Sequence, residues 1–386
     1  MHRTMDEMKI DYISTAEVPS NKANSLQVMK VCQALVQLGH SVQLYLPTSR
    51  SVDWEEVAEN YGLTERFPVT RLPSRSLFRR MDFTLASLAH ARREKADLVY
   101  TRMVWTALFA RLGGFLTVLE LHDQPGGRFG SLVYRWYLRL KKPKLTVYIT
   151  TALKQLVDQN SGVAAIPAEA LVAADGVDLD RYQDLPEPAQ ARKALGLPDE
   201  FTAVYSGAFY PGRGLEMLEP LAQAFPQVQF LWIGGNTEQV QTWTARLAEN
   251  GIHNVTLTGH IANSRLPLYQ AAADILLLPY SLEFEGSGGG NIAHVSSPLK
   301  LFEYIASGRA ILASDLPVLR EVLNEGVAMF YPPEDFSALC RCFAGLLAES
   351  STRKRLGDAA RKAAQAYDWR TRMDGIIKAA VALTKK

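Results

Sequence analysis

The sequence of 386 residues has few cysteines, almost no net charge and no long apolar run. Its three cysteines, Cys32, Cys340 and Cys342, are too few for a disulfide framework and lack the spacing of a zinc site. A formal net charge of +2 gives no reason to expect a nucleic acid as partner. No segment reaches the roughly eighteen uninterrupted apolar residues that a membrane helix needs. These features are typical of a globular protein in a reducing compartment.

The first seven residues are mostly polar or charged and lack the apolar region of a signal peptide, so we expect a cytoplasmic protein. The stretch from Arg66 to Arg80 contains five arginines and no acidic residue, with phenylalanine and leucine between them. Such a stretch is a candidate for peripheral contact with anionic lipids at the inner face of the membrane. A solvated helix edge that faces acidic neighbours explains it equally well.

Strand-like and helix-like segments alternate along the whole chain, which predicts parallel sheets built from strand–helix–strand units. We predict ten strands, at residues 10–14, 41–46, 98–101, 117–121, 146–150, 202–206, 229–234, 255–258, 275–279 and 310–313. The proline-rich segment from Leu185 to Pro188 separates the two sets. The fold class is therefore α/β, with two doubly wound domains over residues 1–185 and 186–368 and a closing helix over residues 369–386.

The segment from Ser297 to Asp315 contains the most informative local pattern. Ser297 suits a helix N-cap, Pro298 the first helical position and Gly308 a left-handed C-cap. The apolar run at residues 310–313 then predicts an interior strand. The pattern therefore predicts a helix that begins and ends at defined residues and leads into the core of a sheet.

Lys300 and Glu303 lie three residues apart and therefore share one face of this helix near its N-terminus. The free N–H groups and the positive dipole end at a helix N-terminus attract anions. An anion can bind there beside Lys300, while Glu303 accepts hydrogen bonds from hydroxyl groups just beyond. A nucleotide sugar has this arrangement, with a diphosphate followed by a ribose.

The segment resembles the family 4 glycosyltransferases through the pattern S-P-x-K-x-x-E-Y-x-A-x-G-[KR]-x-[IV] followed by A-S-D-x-P. The resemblance implies the GT-B fold, in which two Rossmann-like domains face each other across a cleft and the C-terminal helix returns to the first domain. It also implies a retaining, metal-independent enzyme that moves a hexose from a donor such as a UDP- or GDP-sugar to a hydroxyl acceptor. The acceptor can be a glycan, a lipid or a small molecule. No cofactor and no metal site are expected.

The resemblance assigns donor contacts to further loops of the second domain. Gly207 and Arg213 follow a predicted strand and match a glycine-rich phosphate loop, in which Arg213 stands at the usual lysine position. Backbone after another strand is expected to hold the base. The remaining predicted donor contacts in this domain are Gly259, His260, Ile261, Pro298 and Leu299.

In the first domain, His122 follows a predicted strand, where the family places a histidine close to the donor sugar. We predict a catalytic role for His122, Arg213, Lys300 and Glu303. Contacts with the acceptor or a phosphate are predicted for Asn24 or Ser25, as the cap of the first helix, and for Arg102, Gly290 and Asn291.

Two positions depart from the family pattern. The first glutamate of the usual E-x7-E signature falls on Val295, and Ala208 replaces an arginine of the phosphate loop. These departures leave two alternatives open, a catalytically inactive glycosyltransferase-like binding subunit and a nucleotide-sugar 2-epimerase of the same fold.

Overall fold

The computed structural model describes residues 7–48, 53–75, 80–127, 129–283, 291 and 293–385, which form two compact units. The first unit comprises residues 1–175 together with 369–386, and the second comprises residues 176–368. The second unit thus begins at Gly176, where the sequence suggested residue 186. The chain returns to the first unit at Trp369, the residue where the closing helix was expected.

The first unit contains a parallel sheet of seven strands in the order β3-β2-β1-β4-β5-β6-β7. Its strands are β1 (Lys9–Ile13), β2 (Ser41–Pro47), β3 (Val69–Leu72), β4 (Leu98–Thr101), β5 (Leu116–Leu121), β6 (Lys144–Tyr148) and β7 (Ala170–Val172). The connecting helices are α1 (Ala23–Gln37), α2 (Trp54–Tyr61), α3 (Met81–Arg93), α4 (Val104–Leu112), α5 (Gly130–Arg139) and α6 (Thr151–Ser161).

The second unit contains a parallel sheet of six strands in the order β10-β9-β8-β11-β12-β13. Its strands are β8 (Thr202–Ser206), β9 (Gln229–Ile233), β10 (Val255–Gly259), β11 (Ile275–Leu278), β12 (Ala310–Ser314) and β13 (Met329–Tyr331). Its helices are α7 (Pro188–Leu195), α8 (Leu215–Ala224), α9 (Thr237–Glu249), α10 (Leu266–Ala271), α11 (Leu299–Ser307), α12 (Pro317–Arg320), α13 (Phe336–Ala348) and α14 (Ser350–Ala364).

All ten predicted strands are present, each within two residues of its expected bounds. The sequence missed β3, β7 and β13, which have four, three and three residues and lie at sheet edges. Most of their residues are only partly buried, so these strands lack the apolar run that identifies an interior strand.

The start of α11 differs from the prediction by one residue. Pro298 occupies the N-cap with φ of −69° and ψ of 119°, and no side chain caps the helix. Ser297 is therefore not the N-cap, and Pro298 is not the first helical residue. The predicted end is confirmed, because Gly308 adopts the left-handed conformation with φ of 67°.

The final helix, α15 (Trp369–Ala382), completes the core of the first unit. It packs on α1 and against β5 and β6. Trp369, Met373 and Ile376 are buried in this contact. Of the helices in the described part of the chain, none combines the length and the hydropathy of a membrane span.

Candidate functional site

In the second unit, backbone hydrogen bonds join the carboxyl ends of three adjacent strands. The amide of Gly207, just after β8, donates to the carbonyl of Ile233 at the end of β9 over 2.8 Å. The amide of Gly234 donates in turn to the carbonyl of Gly259 at the end of β10, also over 2.8 Å. Open parallel sheets bind their ligands beyond this edge.

Gly207 gives the backbone room to pass close to Lys300. Its φ of 151° is unfavourable for other residues, and a Cβ there would lie 2.3 Å from the Lys300 Nζ. The helix α11 therefore holds its lysine directly against the loop that follows β8. The structure thus brings Gly207 and Lys300 next to each other, although they are far apart in the chain.

The Lys300 ammonium lies over two tyrosine rings, with its Nζ 3.9 Å from the ring centre of Tyr205 and 5.1 Å from that of Tyr280. Its Nζ is shielded from solvent and makes no hydrogen bond to any residue in the described ranges. Burial, followed by the nearby Arg213 guanidinium, lowers the pKa of Lys300 well below its usual value. A lysine in this state gains strongly from an anionic ligand.

Arg213 lies in the turn before α8, with its guanidinium 5.5 Å from the ring centre of Tyr280. The same tyrosine thus contacts both predicted cations, so the structure brings Arg213 and Lys300 to one place. Ala208, in the same loop, brings no second cation. The side-chain donors of Arg213 and Lys300 and the backbone amide of Leu299 at the N-terminus of α11 are suited to a diphosphate, whereas Pro298 has no N–H to donate.

Glu303 is buried one turn further along α11 and is held by two amide side chains. Asn263 Nδ2 donates to Glu303 Oε1 over 2.9 Å, and Gln270 Nε2 donates to Oε2 over 3.3 Å. Tyr182 donates to the Gln270 Oε1 over 3.0 Å, and Arg181 donates to Asn263. The carboxylate is therefore fixed, and its lone pairs still allow further hydrogen bonds from a ligand.

The other residues singled out in the second unit lie in the loops that follow β10 and precede α11. Gly259 has a positive φ of 70° at the end of β10, and the exposed His260 and then Ile261 follow it. Asn291 accepts a hydrogen bond from the amide of Ala293 over 2.9 Å, whereas Gly290 lies outside the described residues. Val295, which replaces the first glutamate of the signature, is buried.

In the first unit, His122 follows β5 and its Nε2 contacts Glu120 Oε1. Burial and the nearby Arg102 lower the pKa of His122, although Asp175 and Glu120 act in the opposite direction. A neutral ring donates its Nε2–H to Glu120, which leaves Nδ1 as an acceptor for a ligand.

Glu120 is the centre of a buried network that the sequence did not reveal. Its carboxylate accepts hydrogen bonds from Tyr100 and, over 2.6 Å, from Gln27, and it lies 3.1 Å from the Arg372 guanidinium of α15. Burial alone would raise the pKa of Glu120, but Arg372 and His122 hold it well below its usual range. The sequence gives one indication of this network, which is that Glu120 lies within the largely apolar strand β5.

The predicted capping role of Asn24 and Ser25 is wrong. The N-cap of α1 is Lys22, without a side-chain bond, and both residues lie in the first helical turn. Ser25 donates instead to the carbonyl of Glu17 over 2.6 Å, which shapes the preceding loop. Asn24 accepts from Arg102, so these two predicted residues do lie together.

Two groups of acidic residues are relevant to the prediction that the enzyme needs no metal ion. Glu120, His122 and Asp175 bring possible ligand atoms within 4.8 Å of one another. They fit a divalent ion poorly, because Arg372 already neutralises Glu120 and would repel a second cation. The Asp-x-Asp sequence at residues 178–180, which the sequence-based prediction overlooked, lies in a short 3₁₀ turn beside Arg181.

The basic stretch from Arg66 to Arg80 is partly used by the fold. Residues 69–72 form the edge strand β3, and Arg71 donates to the carbonyl of Val18 over 2.8 Å. Arg66 lies over the ring of Trp54, 5.8 Å from its centre. Residues 76–79 lie outside the described part, so lipid contact by this stretch stays a prediction.

Comparisons with known proteins agree with this geometry. Residues 26–181 match the family model described as Glycosyltransferase Family 4, and residues 200–349 match the one described as Glycosyl transferases group 1. The two matches cover most of both units.

Among curated relatives, the chain is similar to the phosphatidyl-myo-inositol mannosyltransferase of Mycobacterium leprae, with 28% identity over 211 residues, which cover 53% of this chain and 51% of that protein. It is also similar to the alpha-galactosylglucosyldiacylglycerol synthase of Streptococcus pneumoniae, with 26% identity over 219 residues, 53% of this chain and 55% of that protein. The matched part is thus about half the length of these relatives.

Among solved structures, the chain resembles Anabaena Alr3699/HepE in complex with UDP, with a TM-score of 0.75, 18% identity and coverage of 97% of this chain and 100% of that one. The same protein in complex with UDP-glucose gives a TM-score of 0.73 at the same identity and coverage. This likeness shows the fold.

Proposed function

The chain belongs to the family 4 glycosyltransferases and has their GT-B fold, and from this premise we propose that it transfers a hexose from a nucleoside diphosphate to a hydroxyl acceptor. The transfer retains the anomeric configuration and needs no metal ion. One observation carries the proposal most directly. The Lys300 ammonium lies beside Arg213 and the N-terminus of α11, with no hydrogen bond to a described residue.

In this proposal, the two cations and the helix N-terminus stabilise the charge that develops on the departing diphosphate. Groups fixed in advance of the reaction stabilise such charge efficiently, because they need no reorganisation at that moment. The acceptor hydroxyl attacks from the side of the leaving group and passes its proton to the departing phosphate. No nucleophile from the protein is then required.

Glu303 and His122 have binding roles in this proposal. Glu303, already fixed by Asn263 and Gln270, accepts hydrogen bonds from the ribose hydroxyls. His122, whose Nε2 is held by Glu120, offers Nδ1 to a hydroxyl of a substrate. These roles are consistent with the hydrogen bonds that orient the Glu303 and His122 side chains before any ligand binds.

The proposed donor is a hexose linked to UDP or GDP. The names of the mannosyltransferase and galactosylglucosyldiacylglycerol synthase relatives support a hexose, and the UDP and UDP-glucose complexes of the Anabaena protein support a nucleotide sugar. These names also favour a lipid acceptor or a glycan over a small molecule.

The test is a transfer and hydrolysis assay with a panel of UDP- and GDP-hexoses, run with and without excess EDTA. We expect release of nucleoside diphosphate from one donor, equal rates with EDTA and an α-linked product from an α-linked donor. Loss of activity on chelation would contradict the metal-free mechanism, and a β-linked product would contradict retention.

A catalytically inactive binding subunit is the second candidate, because Val295 and Ala208 replace two polar residues of the family pattern. It predicts that a nucleoside diphosphate binds while no donor in the panel is consumed. Conversion of the sugar to its C2 epimer without transfer would instead identify a 2-epimerase.

A further inference from the structure

Two buried tyrosines enclose the ammonium of Lys300 in the second unit. Tyr205 belongs to β8 and Tyr280 follows β11, so their rings come from two adjacent strands of the sheet. The exposed fractions of these side chains are 0% and 2%. The Lys300 Nζ lies 3.9 Å from the ring centre of Tyr205 and 5.1 Å from that of Tyr280. We name these two residues the tyrosine bracket.

The tyrosine bracket attracts the ammonium without using its hydrogen-bond donors. The face of an aromatic ring attracts a cation, and most strongly where both are shielded from water. Burial raises the pKa of both phenols, so the two rings stay neutral. Within the described ranges, the Lys300 Nζ donates no hydrogen bond. A carboxylate in place of a ring would form an ion pair with Lys300 and would compete with an anionic ligand.

Tyr280 contacts both cations of the site. Its ring centre lies 5.5 Å from the Arg213 guanidinium, and its hydroxyl forms a hydrogen bond with the same side chain. Two like charges this close in a buried site repel each other. A neutral ring that contacts both of them offsets this repulsion, and it fixes Arg213 relative to Lys300 before an anion binds.

Hydrogen bonds fix the tyrosine bracket and the helix that carries Lys300. The Tyr205 hydroxyl donates to the carbonyl of Ala208 over 2.9 Å, which sets the direction of its ring. The amide of Ser206 donates to the hydroxyl of Tyr304 over 2.8 Å. Since Tyr304 lies on α11, this second bond ties the helix of Lys300 to the end of β8.

We propose that Tyr205 and Tyr280 are positioning residues, which hold the Lys300 ammonium and the Arg213 guanidinium where the donor diphosphate binds. This inference rests on the proposed function, because it needs a diphosphate as the ligand. The two rings act through the cations and not on the reacting atoms. Charged groups that are held in place before the reaction stabilise a departing diphosphate without reorganisation.

The first experiment detects the tyrosine bracket by NMR without any ligand, in the full chain labelled with ¹³C-lysine. Ring currents move the signals of protons above an aromatic face upfield. We expect an upfield-shifted ε-CH₂ signal that disappears in Lys300→Arg, persists in Tyr205→Phe and moves towards the ordinary lysine position in Tyr205→Leu. An unshifted Lys300 signal in the wild-type chain would overturn the proposal, and this measurement needs no variant of the bracket to fold.

The second experiment measures the affinity for UDP and for GDP by titration calorimetry, and uses the nucleotide that binds more tightly. Tyr205→Leu and Tyr280→Leu should each weaken binding at least tenfold, whereas Tyr205→Phe keeps the ring and should stay within about twofold of wild type. Tyr280→Phe should fall between these values, because it keeps the ring but loses the bond to Arg213.

The control is Phe343→Leu. It also replaces a fully buried ring of the second unit, but that ring packs on Phe225 and Phe230 in the core. This variant should keep the wild-type affinity for the nucleotide. The same loss in Phe343→Leu as in Tyr205→Leu would overturn the proposal, because the effect would then come from general weakening of the core.

A double-mutant cycle separates positioning from a structural role. If Tyr205 acts through Lys300, Tyr205→Leu should change the affinity little in a Lys300→Ala background. An equal loss in both backgrounds would overturn the proposal. If the wild-type chain binds neither nucleotide while its Lys300 signal is shifted, the proposed function fails and the positioning role fails with it. The NMR result distinguishes that outcome from the absence of the tyrosine bracket.

Discussion

The Arg372 guanidinium of α15 lies 3.1 Å from the Glu120 carboxylate of β5, and the two side chains are 4% and 0% exposed. Arg372 also donates to the carbonyls of Ala174 and Ala173, over 2.6 and 3.2 Å. A buried carboxylate and a buried guanidinium are stable in the core only when they are paired, because either one alone would be an uncompensated charge. This pair ties the final helix to the strand that ends before His122.

Arg372→Met should lower the free energy of unfolding of the first unit by about 3–5 kcal/mol, since it leaves Glu120 buried without its counter-ion. The double variant Glu120→Gln with Arg372→Met should recover part of this loss. Lys378→Met is the control on the same helix, because the Lys378–Asp374 pair is 75% and 43% exposed. Urea denaturation measures all three. Equal stability of Arg372→Met and wild type would contradict the buried-pair interpretation.

At pH values above its lowered pKa, Lys300 should take up a proton when a nucleoside diphosphate binds. Its pKa is lowered by burial and by Arg213, and the anionic ligand raises it again. Affinity for UDP or GDP should therefore fall as pH rises, and titration calorimetry in buffers of different ionisation enthalpy should detect proton uptake. Lys300→Ala should lose this uptake and about a hundredfold in turnover. The exposed Lys354→Ala is the control.

Gly207→Ala should impair turnover, though by less than the loss of Lys300, because the lysine side chain can shift without being removed. The added Cβ would lie 2.3 Å from the Lys300 Nζ and must displace the ammonium, and the φ of 151° adds strain. Gly345→Ala is the matched control in the same unit, because its Cβ would meet nothing within 4 Å. Steady-state kinetics compare the two variants. Wild-type turnover in Gly207→Ala would remove the close approach from the mechanism.

Glu303 should distinguish ribose from its dideoxy form. Loss of the ribose hydroxyls removes hydrogen bonds to a charged acceptor, which are worth roughly 1.5–3 kcal/mol of binding free energy each. We expect UDP, or GDP, to bind more tightly than its 2′,3′-dideoxy analogue, and Glu303→Gln to erode the difference. Equal affinity of the wild-type chain for both nucleotides would count against this role.

Asp11 should make the first unit less stable at high pH. Burial within the sheet raises its pKa from 3.8 to about 6, against the opposing effects of Tyr45 and Lys9. Because the folded state binds this proton more tightly, stability falls as pH rises from about 4 to above 6, by up to about 3 kcal/mol.

Asp11→Asn should remove this pH dependence, with a gain in the free energy of unfolding at pH 8 and none at pH 4. The exposed Asp184→Asn is the control. Urea melts at both pH values provide the measurement, and a variant that is less stable than wild type at pH 8 would refute the assignment.

Much of the second unit could be predicted from short sequence patterns. The helix at residues 299–307, its left-handed Gly308 and the strand at residues 310–314 are encoded within a few residues of one another. The same holds for the nine interior strands, whose apolar runs are visible in the sequence, and the edge strand β10 was predicted as well. The three strands that were missed, all at sheet edges, lack such runs, since only part of their surface is buried.

Contacts between distant residues could not be predicted in this way. Nothing in the sequence near Tyr205 indicates that its ring supports Lys300, because the contact depends on how α11 packs beside β8. Likewise, Glu120 and Arg372 meet only because α15 returns to the first unit. The site residues were predicted one by one from family positions, whereas the side chains that orient them became visible only in the structure.

The return of α15 has a consequence for biosynthesis. The ribosome completes residues 1–175 and then the whole of the second unit before it makes the residues from Trp369 onward. Until then, the first unit lacks the guanidinium that neutralises Glu120 and the apolar face that covers α1. We therefore expect the nascent first unit to remain incompletely folded, and open to proteases and chaperones, while the second unit is already able to fold.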